Sequence, residues 1–294
     1  MQFIATLNQG FGIADCLQFE NGPGGLPVAS ITTSQASAQV ALQGAHLLSW
    51  QPAGQAPVLW VSTAAEFAPG KPIRGGVPVC WPWFGPLADK GMHGFARNLP
   101  WAVRASRRDA DGQVVLCLGL QDSDHTRGLW DHRFDLELQF TIGPTLGMAL
   151  TTRNTGSTDF TVTQALHTYF KVGDIRQTCV RGLDGCAYLD KVQAMARLQQ
   201  AGDVRFSGET DRVYLDTPGD CVVDDPVLQR EIRIAKQGSH STVVWNPWSE
   251  KVMADMAPGE YQGMVCVETC NAGPDAITLA PGQQHGLRAS ISVL

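Results

Sequence analysis

Apolar and polar residues alternate along much of this chain, most clearly in Phe134-Asp-Leu-Glu-Leu-Gln-Phe-Thr-Ile142. Phe134, Leu136, Leu138, Phe140 and Ile142 fall on one side of an extended backbone; Asp135, Glu137, Gln139 and Thr141 fall on the other. On a helix the five apolar residues would be smeared around the cylinder, whereas on a strand they form one face. Gly143-Pro144 supplies a turn. Leu146, Met148 and Leu150 then resume the alternation before a second turn at Asn154-Thr-Gly156, which predicts an antiparallel hairpin. Further strands are predicted over 37–43, 114–120, 160–166, 231–235, 242–245, 264–269 and 287–293. Helical periodicity is scarce, and the best candidate is a short helix over 62–67 with Ser62 as its N-cap. No long repeat is visible. The Pro/Gly-rich pieces 22–27 and 69–86 are too short to be linkers, so the pattern predicts one large antiparallel β domain, a sandwich, spanning 1–294.

Composition narrows the class further. Only 17% of the 294 residues are charged and 44% are hydrophobic, which excludes a disordered chain. The 31 glycines and 17 prolines follow no collagen period and suit turn-linked strands. A net charge of -6 argues against nucleic acid or an anionic membrane as partner, although a few local arginines can still hold a small anion. The N-terminus lacks the basic-then-apolar pattern of a secretion signal, and no apolar run is long enough to span a membrane. The eight cysteines include no CxxC pair, and several lie in apolar strand-like runs. Reduced core thiols of a cytoplasmic protein are expected in preference to four disulfides.

Four segments place costly or reactive residues inside apolar, turn-rich sequence. In Lys71-Pro-Ile-Arg-Gly-Gly-Val-Pro-Val-Cys-Trp-Pro-Trp-Phe-Gly-Pro86, the Gly75-Gly76 pair permits close backbone approach. Trp81, Trp83 and Phe84 there offer flat faces suited to a sugar ring, and Arg74 could hold an anion. A rigid core-plugging loop with a surface arginine is the plainer reading. In His93-Gly-Phe-Ala-Arg97, a histidine and an arginine either converge on one ligand or decorate a surface turn. In Leu166-His167-Thr-Tyr169, His167 lies opposite the apolar face of Phe160, Val162 and Leu166 if the strand runs straight. It is either a structural residue or a proton donor that works near neutral pH. In Met264-Val-Cys-Val-Glu268-Thr-Cys-Asn271, a carboxylate interrupts an apolar strand and must be paired, hydrogen-bonded or in a cleft. Asp211-Arg-Val-Tyr214 and Trp245-Asn-Pro-Trp248 are weaker signals of the same kind. Phosphate loops, dinucleotide fingerprints, nucleophile elbows and HExxH zinc motifs are absent. His125 and His132 read as part of a solvated loop.

Taken in order, Gln43-Gly-Ala-His-Leu-Leu-Ser-Trp50, Ile73-Arg-Gly-Gly-Val-Pro-Val-Cys-Trp-Pro-Trp-Phe-Gly85, His93-Gly-Phe-Ala-Arg97, Leu166-His-Thr-Tyr-Phe170, Asp211-Arg-Val-Tyr214, Trp245-Asn-Pro-Trp248 and Val267-Glu-Thr-Cys-Asn-Ala272 span nearly the whole chain. With these motifs the sequence resembles the aldose 1-epimerase (galactose mutarotase-like) superfamily, and within it the branch acting on hexose 6-phosphates. The resemblance implies an all-β, galactose mutarotase-like β-supersandwich with few short helices. It also implies a site without metal or cofactor, whose partner is a small sugar phosphate. It implies His167 as general acid, Glu268 as general base, Arg74 and Arg97 on the phosphate, and Asp211 on sugar hydroxyls. His93, Trp245 and Asn246 are expected to complete the substrate contacts, with Lys71 as a third cation near the phosphate. Met92 stands where relatives often carry a glutamine, which removes one polar sugar contact. The expected reaction opens the hemiacetal ring by taking the O1 proton and protonating the ring oxygen, and Glu268 nearby would raise the pKa of His167. A monomer is the default expectation. The alternatives are a mutarotase for unphosphorylated aldoses and a non-catalytic carbohydrate-binding protein.

Overall fold

The computed structural model describes residues 2–294. The clearest alternation forms the strand Phe134–Ile142, whose five apolar side chains are all at most 1% exposed. It pairs antiparallel with Thr145–Asn154, Phe134 opposite Asn154 and Ile142 opposite Leu146, so the turn falls at Gly143-Pro144 as the pattern requires. The Trp50 indole donates to the Gly143 carbonyl at 3.2 Å and ties this turn to the neighbouring layer.

The hairpin belongs to a nine-stranded sheet. Its order is Val204–Arg205, Cys179–Arg181, Cys221–Asp225, Arg230–Gln237, Gln284–Val293, Thr145–Asn154, Phe134–Ile142, Val114–Gln121 and Ala102–Arg108. A second sheet of eight strands runs Ala196–Gln199, Ala187–Asp190, Thr210–Leu215, Ser241–Asn246, Met264–Asn271, Gln164–Leu166 and Val79–Cys80, with Tyr169–Lys171 also paired to Met264–Asn271. Four strands between Leu17 and Pro52 make a third sheet. The pairings within these sheets are antiparallel. One buried apolar cluster draws on all three, with Ile31 and Trp50 from the third, Leu138 and Ile291 from the nine-stranded, and Val244 and Val267 from the eight-stranded sheet.

The eight-stranded sheet has two different faces. Leu166, Phe170, Val244, Val265 and Val267 point into that shared core. Their neighbours in sequence, Ala165, Tyr169, Val243, Trp245 and Cys266, belong to a separate cluster on the opposite face, and the site lies on this second face.

Two expectations need correction. The 160–166 strand breaks at Thr163. Phe160–Val162 pairs with Ile277–Leu279, while Gln164–Leu166 joins the eight-stranded sheet. Thr163 serves the loop instead, since its hydroxyl accepts from the Phe84 amide at 2.8 Å. The 62–67 helix does not form. Ser62 does accept from the Ala64 amide as a cap would, but its own amide goes to the Arg74 carbonyl and its hydroxyl donates to Glu260. These long-range bonds hold the segment as a turn against the Arg74 segment and Glu260. The α-helices found among the described residues are Gln2–Phe11 and Asp124–Leu129. The first docks Ile4, Leu7 and Phe11 on the core, a helical stripe legible in the sequence. All eight cysteines are free thiols, and all but Cys186 are buried.

Candidate active site

The pairing of two strands sets the centre of the site. Leu166 lies opposite Thr269 and Tyr169 opposite Cys266, so the intervening register puts His167 across from Glu268. Both point to the second face. His167 Nε2 and Glu268 Oε1 are 3.4 Å apart, at 8% and 1% exposure. The imidazole stacks on Tyr169 at 4.8 Å and meets the edge of Trp245 at 6.1 Å. Trp245 is opposite Asp211 on the next strand, so the same register brings Asp211 to this surface.

Tight loops deliver the remaining side chains. At Gly75, φ is 113°, and a Cβ would sit 2.4 Å from Val61 Cα; at Gly76, φ is 61°, and a Cβ would sit 2.3 Å from the Leu47 carbonyl. Only glycine fits there. The buried His46 ring bonds the Gly75 carbonyl at 2.7 Å, and the Gly76 amide donates to Trp60 at 2.7 Å. Held this way, Arg74 donates to the Tyr169 hydroxyl at 2.9 Å and pairs with Asp255 at 3.0 Å. His93 packs on Phe84 at 5.0 Å and edge-on to His167 at 5.7 Å. Its Nδ1 accepts from the Gly85 amide, so Nε2 carries the proton and acts as a donor. Arg97 donates to the Met92 carbonyl at 2.8 Å.

These groups line one cavity of about 210 Å³. It contains Arg74, His93, Arg97, His167, Asp211, Trp245 and Glu268 together. A larger, shallower hollow of about 580 Å³ lies on the outer face of the nine-stranded sheet, but it brings no histidine beside a carboxylate.

Two expected residues lie elsewhere. Asn246 is wholly buried, and its amide is spent on the Tyr261 and Met264 carbonyls and the Trp248 amide. Strand alternation turns it away from the cavity face that Trp245 occupies. Lys71 is exposed and does not line the cavity. Gln43 holds the Ala68 and Lys71 carbonyls, so this loop presents Arg74 and not Lys71. Conversely, Lys191, Lys251, Asp255 and Met253 line the cavity without any local sequence signal. Tyr169 had one, since it shares strand parity with His167.

The electrostatics differ from the expectation for His167. Burial, then the adjacent His93 ring and the positive charges of Arg74 and Arg97, push its pKa well below the usual histidine range, despite Glu268 beside it. Burial likewise pushes Glu268 well above the carboxylate range, and Lys191 opposes that rise. His93 is pushed down to about 3 by burial and Arg97, so it is a neutral donor. Asp211 is raised by burial against the pull of Lys191, 3.0 Å away. A carboxyl and an imidazole 3.4 Å apart, walled by aromatics, can take a proton from one atom of a bound molecule and give one to a neighbouring atom.

The antiparallel β-supersandwich, with a histidine beside a buried carboxyl on one sheet face, is that of a sugar isomerase of the mutarotase class, as similar proteins show. A crystal structure of a "putative mutarotase" from Salmonella typhimurium superposes with a TM-score of 0.89 at 38% identity, covering 96% of this chain and 95% of that one. A galactose mutarotase related enzyme from Lactobacillus acidophilus shares the fold at a TM-score of 0.74 and 13% identity, covering 91% and 97%. Residues 27–292 match the aldose 1-epimerase family, and the chain belongs to it. A relative from Escherichia coli K12 named "Putative glucose-6-phosphate 1-epimerase" is 47% identical over 81% of both chains. One of the same name from Cenchrus ciliaris is 35% identical over 87% of this chain and 81% of its own. No helix among the described residues is long and apolar enough to cross a membrane.

Proposed function

We propose that the protein interconverts the α and β anomers of hexose 6-phosphates, glucose 6-phosphate first among them. The observation that carries this reading is the His167–Glu268 pair facing the same small cavity as Arg74 and Arg97. The names of the relatives support it. In this scheme Glu268 takes the proton from O1 as the C1–O1 double bond forms and the C1–O5 bond breaks. His167 gives its proton to O5. The C1–C2 bond then rotates, and the ring closes on the other face with the roles reversed. A general acid and a general base typically contribute ~10²–10⁴-fold each, enough for a reaction that proceeds slowly in water. Arg74 and Arg97 hold the phosphate. Asp211 and the neutral His93 bind sugar hydroxyls, and Trp245 bounds the ring face. We also read the chain as one domain, because the shared core runs from Leu7 to Ile291. Its free thiols support a cytoplasmic setting.

Anomer exchange followed by NMR on glucose 6-phosphate and on glucose tests the assignment. A charge-assisted contact to phosphate contributes about 1.5–3 kcal/mol. Arg97→Ala should therefore raise KM for glucose 6-phosphate by roughly 10–100-fold while changing KM for glucose little. Equal losses on both substrates would favour a mutarotase for unphosphorylated aldoses, and absence of turnover on either would leave a binding protein.

A further inference from the structure

The charges in the cavity are unevenly satisfied. Arg74 is closed on Asp255, Lys191 on Asp211 and Lys251 on Glu209. Arg97 meets only the Met92 carbonyl among the described residues and has no carboxylate; its Nε, like that of Arg74, is buried without a partner. Glu268 has His167 on one oxygen, while its Oε2 is buried and unpartnered. The charges are also separated along the cavity. Arg74 grips the Tyr169 hydroxyl, and the Tyr169 ring lies flat on His167, so the arginine end adjoins the histidine. Besides burial, the charged groups acting on His167 are Arg74 and Arg97, whereas those acting on Glu268 are Lys191 and Asp211.

Ring opening as written needs one proton in the pair, carried by His167 with Glu268 ionised. In the empty cavity the surroundings disfavour this. Imidazolium is repelled by Arg97, which no carboxylate offsets, and burial favours the neutral arrangement with the proton on Glu268. The nearby thiols of Cys80, Cys266 and Cys270 do not offset the charge, because burial holds all three well above their usual range and hence neutral. A dianion seated on Arg97 and Arg74 would reverse the balance at the histidine end alone.

We propose that the phosphate of the substrate is part of the proton-transfer machinery: by adding negative charge at Arg97, whose own charge no carboxylate offsets, and at Arg74, it draws the shared proton from Glu268 onto His167 and so arms the pair for ring opening. The proton count is unchanged, since the proton only moves within the pair. Ring opening then returns a proton to Glu268 from O1 and passes the His167 proton to O5. This inference rests on the phosphate and acid–base roles proposed above. It adds that the phosphate acts on turnover as well as on binding.

Cutting the substrate into two pieces tests it. Anomer exchange of D-glucose is measured by NMR with enzyme and increasing inorganic phosphate, and the exchange caused by phosphate alone is subtracted. The enzyme-dependent rate should rise saturably, on the order of tenfold, the effect of about one pKa unit at His167. The rise should vanish in Arg97→Met. On the wild-type protein, the His167 ring resonances should titrate at higher pH once phosphate is bound, a readout that needs no variant. If phosphate competes with glucose 6-phosphate yet neither speeds glucose exchange nor moves the His167 titration, this inference is overturned while the proposed function stands. Phosphate that neither competes nor accelerates removes the phosphate subsite, and both readings with it.

Discussion

At Glu268 a carboxyl is 1% exposed on a strand whose other residues are apolar or small, an arrangement that would cost several kcal/mol without compensation. Its compensation is the cross-strand His167 and the nearby Lys191. Exchanging the acid for its neutral isostere should therefore separate activity from stability. Glu268→Gln should lower kcat by at least ~10²-fold while the melting temperature holds or rises, and His167→Asn should lose a similar factor. Exchange rates and thermal melts on the same preparations check this. Either variant keeping a tenth of wild-type turnover would sink the acid–base assignment. Asp255 plays a different part. It pairs with Arg74, where it would compete with a phosphate bound as proposed, and the pair is about a quarter exposed. Such pairs contribute about 0.2–1 kcal/mol, so Asp255→Asn should lower KM for glucose 6-phosphate a few-fold and leave KM for glucose unchanged.

The elements around the site work by holding backbone tightly enough to aim side chains. Glu260 is the joint between two of them. Its carboxylate accepts from the Ser62 hydroxyl at 2.6 Å, from the Thr63 amide at 2.8 Å and from the Ala257 amide at 2.9 Å. It thereby clips the 247–259 loop, which carries Lys251, Met253 and Asp255, to the segment leading into Arg74. Glu260→Ala should raise amide hydrogen exchange in 62–65 and 249–257 and raise KM with little change in kcat, because Glu268 lies on a sheet strand and His167 between two others, away from this joint. Gly76→Ala should be far more disruptive. The added carbon meets backbone 2.3 Å away, and φ is already left-handed, so a loss of at least ~2 kcal/mol in denaturant stability is expected.

Across the whole molecule, buried histidines make stability depend on pH. His46 is fully buried on the Gly75 carbonyl, and burial pushes its pKa down to about 4 from 6.5. The unfolded chain takes up a proton below about pH 6.5, whereas the folded one resists until about 4. The stabilisation is thus complete above pH 6.5 and is lost as pH falls towards 4, roughly 3 kcal/mol for this residue. His93, pushed down to about 3, adds to the same trend. Urea midpoints should fall steeply from pH 7 to pH 4.5. His46→Gln, whose amide can still donate to Gly75, should flatten that slope; an unchanged slope would remove His46 as its source.

Much of this architecture was legible in local sequence because strand alternation is a local property. The 134–142 face, its Gly-Pro turn and the oddness of Glu268 on an apolar strand needed no partner to be seen. The motif residues Arg74, His93, Arg97, His167, Asp211, Trp245 and Glu268 were legible too, and they line one cavity. Parity could also have excluded Asn246 once Trp245 was placed on the cavity face. Pairing between distant strands is set by packing of the whole core, so only the tertiary structure decided that His167 stands across from Glu268. It also brought Lys191, Lys251 and Asp255 to the cavity and left Lys71 outside. The same holds for the direction of the His167 shift. A carboxylate neighbour is visible in a motif, but burial and the charges of Arg74 and Arg97 act on His167 only once the chain has closed around it.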